Sequence, residues 1–117
     1  MTRPTHKELS GKIKAATRAV KQVNVRYIDP LTIAVDAIEL GYDFENNIFM
    51  ILSDLLSVIT PADYTGSRPP QRSYELVIKD MDLFAFTVQG SILVDVVYLK
   101  FSIKKDYFYI ASLHKNR

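Results

Sequence analysis

The hydrophobic period of this chain changes once, and that change constrains the fold more than any single motif. From residue 6 to residue 58 apolar side chains recur at steps of three and four; from residue 74 onward they alternate. Residues 60–73, TPADYTGSRPPQRS, separate the two regimes and hold three of the five prolines. They read as a loop joining helices to sheet. Helices followed by strands predict an α+β domain, with three N-terminal helices packed on one face of a C-terminal antiparallel β-sheet. The 117 residues suffice for one domain, 1–117, with a core of its own.

The first helix is expected over residues 6–22, where Leu9, Ile13, Ala16 and Val20 form one stripe among lysines and arginines. In the second, Asp29 suits the N-cap, Pro30 the first helical position and Gly41 the stop, with Leu31, Ala34, Val35 and Ile38 as the buried stripe. The third runs from Phe44 to Val58 behind an Asp43 cap; Ile48, Ile51, Leu52 and Leu55 face the core, and Phe49 and Leu56 widen the apolar surface.

Four strands are expected: YELVIK, LFAFTVQ, residues 94–104 and residues 108–114, with a turn at 80–82 and another at Gly90-Ser91. In the third, Val97, Leu99, Phe101 and Ile103 share the core side, leaving Tyr98, Lys100, Ser102 and Lys104 on a polar, open side. Where His114 points depends on the last hairpin. A two-residue turn pairs Lys104 with Tyr107 and sends His114 toward the core side. A three-residue turn pairs Lys104 with Phe108 and sets His114 beside Tyr98 and Ser112 beside Lys100, because a one-residue slip exchanges the faces. The three-residue turn is preferred, since it places Ala111 and Leu113 in the core and the turn lacks an Asn-Gly or Asp-Gly signal.

Composition narrows the chemistry. The chain has no cysteine and only two histidines, His6 and His114, so disulfides, thiolate chemistry and the usual zinc sites are not expected, and no cofactor is implied. No apolar run approaches 18 residues and the start is polar, which predicts a cytoplasmic protein with no membrane partner. Charge is segregated. Residues 1–26 hold seven Lys/Arg against one acid, residues 27–63 seven acids and no Lys/Arg, and residues 64–117 eight Lys/Arg against five acids. Such asymmetry marks either a polyanion-binding face beside an acidic one, or segments that neutralise one another in the fold.

A face bearing Tyr98, Lys100 and His114, beside Arg68 and Arg72 of the loop and Lys115 and Arg117 of the tail, has the ingredients for RNA binding and metal-independent cleavage. Cleavage needs a base for the ribose 2′-OH, an acid for the leaving oxygen and cations for the phosphorane. Imidazole is the side chain whose unperturbed pKa suits the first two roles. A histidine at a strand end is more often a solvated or hydrogen-bonded residue than a catalytic one. Ser112 with His114 makes no triad without an orienting third group and an oxyanion hole.

Several segments, VNVRYIDPLTIAVDAIELGYD, ITPADY, VYLKFSI and YIASLHKN, together resemble the MqsR family of toxins within the RelE-like mRNA interferases. The resemblance implies a RelE/MqsR-like fold and an endoribonuclease of a toxin–antitoxin system, acting on mRNA free or on the ribosome and neutralised by a cognate antitoxin. It puts Tyr98 at the family's active-site tyrosine. It puts His114 at the closing lysine, given one inserted residue in the hairpin turn. The family's loop lysine aligns with Gly66, with Arg68 nearby, and its WQDVY segment has no clear counterpart in LFAFTVQ. The alternative is a non-catalytic RNA- or protein-binding module on the same scaffold, or a small oligomer-forming protein.

Overall fold

In a computed structural model, residues 4–66, 70–73 and 78–116 are described. Three helices, α1 (His6–Lys21), α2 (Pro30–Leu40) and α3 (Phe44–Val58), precede most of the sheet. The strands are β1 (Val25–Tyr27), β2 (Gln71–Arg72), β3 (Asp82–Val88), β4 (Val97–Lys104) and β5 (Tyr107–Lys115), in the order β1-β5-β4-β3-β2. The fold is α+β, with the helices on one face of the sheet.

The helix ends form where their cap residues allow. Asp29 accepts the Thr32 N–H and hydroxyl, and Gly41 closes α2 in the left-handed region at φ 84. Asp43 accepts from the Glu45 and Asn46 N–H groups and from the Asn46 side-chain amide. These hydrogen bonds, led by those from Thr32 and Asn46, hold both carboxyl groups below their ordinary pKa.

The core lies between the sheet and the helices. Phe84, Phe86, Phe101 and Phe108 are fully buried, with Phe101 stacked on Phe108 at 4.9 Å and on Phe86 at 5.8 Å. Leu9 of α1 and Ile51, Leu52 and Leu55 of α3 pack into the same cluster. All four apolar residues of the β4 stripe are buried, as the alternation predicts.

Four expectations change. First, α2 buries Ile33, Ala37 and Leu40, while Leu31, Val35 and Ile38 are 74%, 57% and 80% exposed. Both sets have helical spacing, so periodicity alone does not say which faces inward. Second, β1 is an additional strand, parallel to β5, with Val25 opposite Phe108. Third, the edge strand is β2; residues 74–77 of the expected strand YELVIK lie outside the described residues, and Ile78 to Asp80 form a turn with Asp80 at φ 64. Fourth, the last hairpin has a two-residue turn, Lys105-Asp106, with Lys104 opposite Tyr107. Lys105 accepts a left-handed backbone, φ 57, to make it.

A β-bulge then changes what that turn implies. Phe101 pairs with Ile110 but Lys100 pairs with Ser112, so Ala111 is the extra residue. Before the bulge Phe108 and Ile110 point into the core, contrary to the three-residue reading. After it Leu113 does, and Ser112 and His114 turn outward. The inserted residue therefore sits within the strand and not in the turn, and Ala111 is half-buried at the bulge instead of in the core.

Candidate functional site

The bulge delivers His114 opposite Tyr98. Their rings stack, with centroids 5.2 Å apart and planes 18° from parallel. Nδ1 of His114 lies 2.7 Å from the Lys115 carbonyl oxygen. A carbonyl can only accept, so Nδ1 carries a proton and donates it, and the neutral ring keeps its lone pair on Nε2. Burial pushes the Tyr98 phenol above its ordinary pKa, so it remains a donor at neutral pH.

The two rings line an open cleft of about 440 Å³ with Thr65, Thr87 and Asn116. Thr87 sits opposite Tyr98 on β3, and its hydroxyl shares a 2.9 Å hydrogen bond with that of Thr65. Asn116 is held by its N–H, which donates to the Val96 carbonyl. Lys100 follows two positions along β4 on the same side, between Ala85 and Ser112.

Other expected site residues lie elsewhere. Lys115 is on the opposite side of β5 from His114 and sits 3.9 Å from Asp95. Arg72 is opposite Asp82, to which it is paired at 3.9 Å, and shares a cleft with Lys12 and Phe84 on the helix side of the sheet. Asp82 and Thr87 are separated by about 16 Å along β3 at the usual strand rise. Arg72 is thus not brought to the Tyr98–His114 pair. Arg68 and Arg117 lie outside the described residues. Ser102 is fully buried, its hydroxyl without a hydrogen-bond partner among the described residues, so the outer face is closed at that position beside Tyr109.

Sequence reasoning missed the opposite end of this face. Arg26 of β1 stands over the Tyr107 ring at 4.4 Å from its centroid, and Tyr109 lies between Arg26 and Ser102. Along the outer positions of β1, β3, β4 and β5 run Arg26, Lys100, Lys104, three tyrosines and His114, with no acid among the described residues. The tyrosine alternation in YFYIA carried that signal; the parallel pairing of β1 did not show in the sequence.

Gly66 explains one departure from the resembled family. A Cβ there would run into the phenol ring of Tyr64, itself buried edge-on against Phe86. A side chain at that position would require the Tyr64 ring to shift. Among the described residues, no group of three His, Cys, Asp or Glu side chains converges as a metal site would require, and no helix is long and apolar enough to cross a membrane. No protein-family model, curated protein or solved structure matches this chain.

Proposed function

We propose that the outer sheet face binds single-stranded RNA and cleaves it without a metal, as a toxin-like endoribonuclease would. The observation that carries this reading is His114, held through Nδ1 by the Lys115 carbonyl and stacked on Tyr98 in an open cleft. Nε2 takes the proton of a ribose 2′-OH, and the 2′-oxygen attacks the adjacent phosphorus. The Tyr98 phenol donates to a non-bridging oxygen, and Lys100 supplies positive charge to the phosphorane and a proton to the departing 5′-oxygen. The products are a 2′,3′-cyclic phosphate and a 5′-hydroxyl. Tyr107, Tyr109 and Arg26 extend the face for stacking and phosphate contact. In this reading the chain acts on mRNA in the cytoplasm and a cognate antitoxin restrains it.

Purified protein incubated with an end-labelled RNA in EDTA should yield cyclic-phosphate ends. His114→Ala should lower the rate by about a hundredfold or more, the usual weight of a general base. In cells, induction should arrest growth and the same substitution should relieve it. RNA left uncut while still bound, with affinity unchanged in His114→Ala, would instead support the binding-module reading. Gly66 in place of the resembled family's lysine favours that second reading.

A further inference from the structure

The exposed stripe of α2 lies outside the site just described. At 100° per residue, Leu31, Val35 and Ile38 project from roughly the opposite side of the helix to Ile33, Ala37 and Leu40. Helix α2 therefore has two apolar faces, and only one is used by the core. The spacing of the exposed residues, i, i+4 and i+7, is that of a ridge that packs against another helix. Thr32, Asp36 and Glu39 occupy one flank of the ridge. The surrounding segment, residues 27–63, holds seven acids and no Lys or Arg.

We infer that this ridge docks an amphipathic helix of a partner protein whose apolar stripe is flanked by Lys or Arg. Charge complementarity selects that occupant. A second copy of this chain, packed antiparallel through the same ridge, would set the Asp36 and Glu39 flanks side by side, like against like. An anionic membrane surface would be repelled by the same acids. Because α2 lies on the helix side of the sheet, a helix docked there leaves the Tyr98–His114 cleft uncovered. The inference does not depend on RNA cleavage.

The test uses the full chain and two synthetic helical peptides with leucines at i, i+3, i+4 and i+7. One carries lysines at the flanking positions and the other glutamates. Titration calorimetry should show the Leu/Lys peptide binding and the Leu/Glu peptide not. Val35→Ser and Ile38→Ser change exposed residues only, and circular dichroism should confirm that both variants fold. Each should weaken the Leu/Lys peptide about tenfold, the scale of removing one buried aliphatic side chain. Asp36→Lys with Glu39→Lys should weaken the Leu/Lys peptide and admit the Leu/Glu one. The inference is overturned if the Leu/Lys peptide fails to bind at millimolar concentration, if both peptides bind equally, or if the serine variants bind as wild type does. It is also overturned if sedimentation shows the ridge occupied by a second copy, or if anionic vesicles capture the chain through the ridge while the peptide does not.

Discussion

His114 owes its orientation to one neighbour and its environment to another. The Lys115 carbonyl sets which nitrogen holds the proton, and the Tyr98 ring sets the plane of the imidazole. These are separable contributions of a tyrosine that both stacks and donates. Tyr98→Phe keeps the ring and removes the phenol; RNA affinity should stay within about threefold while cleavage falls about ten- to a hundredfold, the range for losing one transition-state donor. Tyr98→Leu should lower affinity as well. Because burial raises the phenol's pKa, ionisation of Tyr98 should not limit activity at any pH below its ordinary value near 10. Gel-shift titrations beside single-turnover rates across pH would check all three. A Tyr98→Phe variant that cleaves as fast as wild type would remove the phenol from the mechanism.

At the scale of elements, the hairpin β4–β5 joins a two-residue turn to a bulge, and the one extra residue between Lys104 and the outward pairing is taken up in the bulge. The turn alone would bury His114; the extra residue Ala111 restores Tyr98 opposite His114. Deleting Ala111 should therefore leave every other pair in the hairpin unchanged, since Ser112 would follow Ile110 on the outward side of a regular strand. The deletion variant is expected to fold, and nuclear Overhauser contacts between the Tyr98 and His114 rings should persist. Inserting one alanine after Asp106 should likewise only lengthen the turn to three residues, leaving Lys104 opposite Tyr107 and Phe108 and Ile110 in the core. An Ala111 deletion that abolished the ring contact would show that Ala111 is not the extra residue.

For the whole molecule, acid sensitivity is set in part by the helix caps. Asp29 and Asp43 have pKa values depressed in the folded state by hydrogen bonds, led by those from Thr32 and Asn46. Such groups bind fewer protons folded than unfolded, so their stabilisation is present above the ordinary aspartate pKa and is lost as pH falls through the folded value. Asparagine caps helices about as well as aspartate and does not titrate there. Asp29→Asn combined with Asp43→Asn should thus change the urea midpoint little at pH 7 but reduce its fall between pH 5 and about pH 3. An unchanged pH slope would place the acid sensitivity in other carboxylates.

Local features of the chain determined what depends on local physics. The change of period set the α+β class, and Asp29, Gly41 and Asp43 set the helix ends, because caps act within a turn of the backbone. The stripes of α1 and α3 and the core side of β4 were also legible, each having a single dominant apolar side. Helix α2 has two, and only packing against β5 and α3 selected Ile33, Ala37 and Leu40. The parallel pairing of β1 with β5, the bulge at Ala111 and the separation of Arg72 from Tyr98 are equally non-local. They depend on contacts between residues tens of positions apart, or on a register that several turns could satisfy. The tertiary structure decided them because it alone has to bury the phenylalanine cluster and leave the histidine outside.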